Sequence, residues 1–225
     1  MYKTVFVCPL YDMRNHFDFA IDLLRSKRDL EITEEIYFIF TTEAHRKKFA
    51  DRAENELGLS NINYLMLPAE LDKYSSKAVT KKLFGLKQLM NSYDYIILID
   101  SESKFVKKCD FGELASEIWN KRSMLASNIS PDGFFVMRSC YLTMGLYNNV
   151  KLKKETENYK YNFGFNELQV YNCSYLPGFF AWLDLFDKNK ILNEWCCFEY
   201  YLFFAYLCLE HNYSILKYKY VSRGG

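Results

Sequence analysis

The sequence predicts an α/β protein: a mainly parallel central sheet flanked by helices. Three observations carry that expectation. The first hundred residues alternate strand-like and helix-like segments four times, the pattern of repeated strand–helix units. One strand-like segment, Ile96-Ile97-Leu98-Ile99, is four consecutive aliphatic residues, which suits a strand covered on both faces. Half of the 225 residues are hydrophobic, ample for the core of one domain. The whole chain, 1–225, is therefore read as a single domain.

In order, residues 4–8 form a short β-rich run closed by Pro9, the first strand. Leu10, Tyr11, Asp12, Met13, Arg14 and Asn15 make a polar loop at its carboxyl end. Residues 18–28 read as an amphipathic helix with Phe19, Leu23 and Leu24 on one side. Residues 36–40 are a second strand, closed by Thr41, Thr42 and Glu43, and 44–57 are a charged helix that Gly58 ends. Residues 63–67 are a third strand ending at Pro68. A long helix over 75–91, with Leu83, Leu86, Leu89 and Met90 as its apolar face, leads into the fourth strand, 95–99. Beyond residue 102 the pattern is less regular. Residues 111–121 read as a helix, and 124–127 and 134–137 as strands. Residues 151–161, charged and aromatic without an apolar period, read as a surface loop, and 163–171 mix polar with apolar residues. Pro177 opens a helix that runs to residue 186, since proline is tolerated in a first helical turn. Residues 195–210 are a last, very aromatic helix, and 215–223 alternate like a basic strand.

Composition excludes several classes. With 29 basic and 28 acidic side chains the net charge is +1, so no global field draws the chain to nucleic acid. The seven cysteines are irregularly spaced without Cys-x-x-Cys, which suggests neither a zinc site nor a disulfide framework and fits reduced thiols in the cytoplasm. The first seven residues lack the apolar core of a signal peptide, and the longest apolar run, 200–209, is too short to span a bilayer. No Gly-x-Gly-x-x-Gly follows the first strand and no Gly-Lys-Ser/Thr loop occurs, which argues against the common dinucleotide and phosphate-loop sites.

The chemistry is concentrated where the fourth strand stops. Asp100 ends the aliphatic run and Glu102 follows two residues later, so in extended backbone both carboxylates project to the same side. Ligands of open α/β sheets bind beyond the carboxyl ends of strands, where this pair falls. Two converging carboxylates suit a hard divalent cation, Mn2+ or Mg2+, sharing its shell with phosphate oxygens.

The stretch Tyr93-Asp94-Tyr95-Ile96-Ile97-Leu98-Ile99-Asp100-Ser101-Glu102, behind a strand–helix alternation and a long helix, resembles GT-A-fold glycosyltransferases. Those enzymes carry an Asp-x-Asp motif at a strand end of this kind, and Asp100-Ser101-Glu102 is an Asp-x-Glu variant of it. Residues 163–171 and 195–200 are similar to the acceptor half of bacterial capsule or surface-polysaccharide transferases. The resemblance implies a GT-A-like fold, with a nucleotide-sugar-binding half over 1–105 and an acceptor-binding half over 106–225. It implies transfer of a sugar from a nucleotide-diphosphate sugar, UDP-sugar favoured, to an oligosaccharide or lipid-linked glycan. A divalent cation at Asp100 and Glu102 would offset the charge of the leaving diphosphate.

The further site residues follow from the same resemblance. The loop after the first strand, Pro9, Leu10, Tyr11 and Asp12, is expected to hold base and ribose, Tyr11 by stacking and Asp12 by accepting hydrogen bonds. Thr42 and Glu43 are second candidates there, and Ser101 lies within the donor motif. Lys77, Lys81 and Lys82 are expected near the pyrophosphate, Glu199 at the acceptor hydroxyl with Asn166 and Glu167 behind it, and Trp195 as a sugar platform. His211 is a candidate third metal ligand, and Lys217, Lys219 and Arg223 are candidates to close over the diphosphate. The aromatic last helix offers a means of peripheral membrane association for a lipid-linked acceptor. The competing readings are a sugar nucleotidyltransferase and a non-catalytic nucleotide- or glycan-binding module.

Overall fold

Strand β1, Thr4–Pro9, is buried along its whole length. That is the consequence of an apolar run with a neighbour on each side and helices above and below. The computed structural model describes residues 2–11, 15–120, 131–157 and 169–213, with the backbone alone at 131–134 and 155–157. Helix α1 (His16–Asp29) leads to β2 (Glu35–Phe40), α2 (Glu43–Leu57) to β3 (Tyr64–Met66), and α3 (Lys77–Leu89) to β4 (Tyr95–Leu98). With strand β5, Gln169–Asn172, the described residues form a sheet of five strands in the order β3-β2-β1-β4-β5. β1 pairs in parallel with both β2 and β4, and β2 with β3, while β5 runs antiparallel to β4 with Leu98 opposite Gln169. The alternation read from the sequence is thus the parallel part of the sheet, with boundaries shifted by one or two residues at most ends. Gly58 ends α2 in the left-handed conformation, φ 69°, its N–H donating to Glu54 O and that of Leu59 to Ala53 O.

Helix α3 lies so close to the sheet that a Cβ on Gly85 would come within 2.7 Å of Ile39 Cδ1 and Val7 Cγ1. This close seat brings the middle of α3 over the carboxyl ends of β1 and β4. The second half of the chain supplies α4 (Phe111–Asn120), α5 (Pro131–Thr143), α6 (Val150–Glu157), α7 (Leu176–Leu183), α8 (Lys188–Asn193) and α9 (Glu199–His211).

Three expectations are corrected here. The apolar run 134–137 is not a strand but part of α5. A short continuous apolar segment fits a buried helix as well as a strand, and Pro131 at the first helical position was the signal that separates them. Residues 150–157 are helical rather than a loop: Asn149 Oδ1 accepts from the N–H of Lys151 at 3.0 Å and of Leu152 at 3.3 Å, an N-cap on a run of good helix formers. Leu152 anchors that helix in the core. The last helix begins at Glu199, not at Trp195. Every residue of α9 from Tyr201 to Cys208 is buried, so this is a core helix apolar all round, without an exposed apolar face to lay on a membrane. Among the described residues no helix is long and apolar enough to cross a membrane. The strands expected over 124–127 and 215–223 lie outside the described residues.

Candidate active site

The sheet order reverses between β1 and β4: the chain winds outward from β1 through β2 to β3 on one side, and β4 lies on the other. Open α/β sheets bind ligands in the crevice at such a switch point, here beyond the carboxyl ends of β1 and β4. Tyr11 follows β1 into that crevice, and Asp100, Ser101 and Glu102 follow β4. The Asp100 and Glu102 side chains are 56% and 52% exposed. Ser101, between them, is buried and donates to Glu102 Oε2 at 3.1 Å.

His16, the first residue of α1, joins this group. Its Nδ1 lies 2.8 Å from Ser101 Oγ and 3.8 Å from Glu102 Oε1. The chain turns into α1 through Asn15, which takes a left-handed φ of 42°. The sequence carried no period or motif that singled out His16; its place depends on the parallel pairing of β1 with β4, 85 positions from Ser101.

Behind the exposed carboxylates lies a buried charge relay. Lys82, in α3, sets its Nζ 3.2 Å from Asp100 Oδ1 and 3.3 Å from Glu199 Oε1. The Glu199 side chain is 1% exposed and that of Lys82 is 7% exposed. Burial pushes the Lys82 pKa down, but the charges of Glu199 and Asp100 outweigh it and hold the ammonium above the ordinary lysine range. Burial raises Glu199 above the ordinary carboxylate range, with Lys82 pulling it back. Glu199 thus sits behind Lys82, with no solvent-facing surface from which to reach an acceptor hydroxyl. Its geometry is that of a group that fixes the ammonium against Asp100. The hydroxyls of Tyr11 and Tyr171 are also buried nearby, without a hydrogen-bond partner among the described residues. Burial raises both phenols first; the charge of Asp100 and then of Glu199 adds to it at Tyr11, and that of Glu199 at Tyr171.

The remaining expected site residues are distributed as follows. Pro9 closes β1 opposite Ile39. Thr42 caps α2, its Oγ1 accepting from His45 N–H at 3.2 Å. Lys81 is 1% exposed and turns away from solvent, donating to Leu10 O at 2.5 Å and lying 4.2 Å from the centre of the Tyr11 ring. Lys77 pairs with Asp72 at 2.7 Å. Trp195 is 65% exposed on the segment leading into α9. His211 is at the far end of α9 from Glu199, about 18 Å away at the rise of an α-helix, with its Nε2 2.8 Å from Tyr206 Oη. The structure therefore does not bring His211 to Asp100 and Glu102. Asp12, Asn166, Glu167, Lys217, Lys219 and Arg223 lie outside the described residues.

Compared with solved structures, the chain matches the crystal structure of mouse xyloside xylosyltransferase 1 in its apo form, with a TM-score of 0.52 and 14% sequence identity over 98% of this chain and 85% of that one. The fold is GT-A-like. No protein-family model matches the sequence, and comparison with curated proteins finds no match. At the carboxyl ends of β1 and β4 the parallel sheet brings together Asp100, Ser101, Glu102, His16 and Lys82. The carboxylate and hydroxyl donors among them are hard oxygens suited to Mn2+ or Mg2+. Among the described residues no three His, Cys, Asp or Glu side chains converge into a cage for a metal. Magnesium-type sites are commonly built on one or two carboxylates and completed by substrate phosphates, so the pair present fits such an ion.

Proposed function

We propose that the protein is a glycosyltransferase that moves a sugar from a nucleotide-diphosphate sugar, with UDP favoured, to a glycan acceptor. The observation that carries this reading is the placing of two exposed carboxylates, Asp100 and Glu102, at the switch point of a GT-A-like sheet, backed by the buried Lys82–Glu199 pair. Asp100 and Glu102 are the residues that would hold a divalent cation. Such an ion, when bound, supplies positive charge against the diphosphate that leaves the sugar.

The chain's own residues do the rest. Lys82 holds Asp100 from behind, so the carboxylate is fixed before the donor arrives and no reorganisation is needed at the moment of reaction. Glu199 keeps Lys82 charged in a site where burial alone would favour its neutral form. Ser101 and His16 orient Glu102 in the same manner from the other side. Tyr11, with one face on Lys81, offers the other to the base. Trp195, exposed four positions before Glu199, is the aromatic surface on which we place a sugar ring of the acceptor. Among the described residues of the stretches that resemble capsule and surface-polysaccharide transferases, this tryptophan is the exposed one, and it supports a glycan acceptor of that kind.

Calorimetric titration with UDP, with and without Mn2+, on wild type and Asp100→Ala tests the reading. Binding that needs the ion and is lost in Asp100→Ala is expected. If UDP, GDP and CMP all fail to bind under either condition, the transferase reading is wrong.

A further inference from the structure

We propose that Lys81 is a positioning residue of the nucleotide subsite, holding Leu10 and Tyr11 in the posture that receives the base. This rests on the nucleotide-sugar reading above. Lys81 was expected to reach outward to a diphosphate, and the structure turns it inward. Its Nζ donates to Leu10 O at 2.5 Å and lies 4.2 Å from the Tyr11 ring centre. Leu10 is held at both ends, because its own N–H donates to Ile39 O at 3.2 Å. The first residue after β1 is thus tied to β2 through its amide and to α3 through its carbonyl.

The chemistry of the arrangement is unusual enough to need a purpose. An ammonium 1% exposed loses most of its hydration, and among the described residues no carboxylate stands at ion-pair distance from it. An apolar side chain of similar length would fill the space at lower cost. The positive charge is instead directed to one carbonyl and one aromatic face, both belonging to the segment that enters the crevice. Burial brings the Lys81 pKa down to about 8; Asp72 from the β3–α3 connection and Cys8 on β1 oppose this, and Lys77 on α3 adds to it. The hold on the loop therefore weakens as the pH rises through that value, whereas Lys82, held high by its two carboxylates, keeps its proton.

The test is UDP affinity in the presence of Mn2+, from about pH 6.5 to about pH 9.5, for wild type, Lys81→Arg and Lys81→Met. Wild-type affinity is expected to be level at the acid end and to fall across the Lys81 titration. Lys81→Met should bind about tenfold more weakly, the scale of a lost charged hydrogen bond, with a level profile. Lys81→Arg, charged throughout, should lose the alkaline fall. Hydrogen exchange at the Leu10 amide in ligand-free protein, corrected for intrinsic rate, should be faster in Lys81→Met. Wild-type affinity and pH profile in Lys81→Met, or an unchanged Leu10 exchange rate, overturns the proposal while leaving the transferase reading intact. A wild type that binds no nucleotide removes both.

Discussion

At the scale of single residues, the Lys82–Glu199 pair is the most demanding feature of the molecule. Removing one partner of a buried ion pair strands the other charge, at a cost of about 3–5 kcal/mol. Lys82→Met should lose stability on that order in a denaturant titration. The double variant Lys82→Met with Glu199→Met should recover most of it, because two apolar side chains of similar volume replace the pair. Neither protein should transfer sugar, since Asp100 is no longer held. The Asp100 arm of the relay is more than half exposed and contributes little to stability by itself.

The pH dependence separates the same roles. In Lys82→Met the buried Glu199 carboxyl loses the ammonium that pulls its pKa down, so its native pKa rises further above the unfolded one. The folded form then binds more protons than the unfolded form, and stability falls as pH climbs from the unfolded carboxylate range up through the raised folded one. Urea midpoints across that range should show this slope in Lys82→Met and not in the double variant. For the wild type, the folded pKa of Lys82 lies above the ordinary 10.5, so the stabilisation it gives is present below that value and is lost only at higher pH.

At the scale of elements, the seat of α3 on the sheet decides where Lys81 and Lys82 can reach. Gly85 permits that seat. Gly85→Ala gains about 1 kcal/mol of helix propensity but drives a methyl group into Ile39 and Val7, and such overpacking costs about 1–3 kcal/mol. A lower denaturation midpoint is expected, with partial recovery on adding Ile39→Val, which removes the nearer methyl group of Ile39. The strands and helices up to β4 were legible because each is an uninterrupted apolar run or a long amphipathic period bounded by Pro68, Gly58 or a polar loop. The run at 134–137 was not, since four apolar residues in a row carry no period. The helix Val150–Glu157 was not either, because its cap, Asn149, precedes a segment with a single buried aliphatic, Leu152. At the site, the Asp100–Glu102 spacing was read as extended backbone, whereas β4 ends at Leu98 and residues 101 and 102 lie in a turn in which Ser103 N–H donates to Asp100 O at 3.0 Å. The partnership of Lys82 with Glu199, and of His16 with Ser101, joins distant parts of the chain through the sheet and has no local signature.

At the scale of the whole molecule, the crevice is assembled from both halves of the chain, with Asp100 and Lys82 from the first and Glu199 from the second. A ligand that bridges β1 and β4 should therefore stabilise the entire fold. With UDP and Mn2+ at a hundred times Kd, the gain is about 2.7 kcal/mol, measurable as a raised melting temperature. Asp100→Ala should melt close to the wild type without ligand and show no such rise with it.

The antiparallel pairing of β4 with β5 also sets an order of events during synthesis. Tyr95–Leu98 is complete long before its neighbour, since Leu98 pairs with Gln169. At ordinary translation speed the interval is roughly 4 to 14 seconds. Throughout it, one side of an apolar strand stands open beside a growing polypeptide, the kind of edge that recruits chaperones or pairs with another chain. The proposed site cannot close in that interval either, because Glu199 emerges later still. On the transferase reading, a newly made chain stays inert toward donor until α9 has left the ribosome.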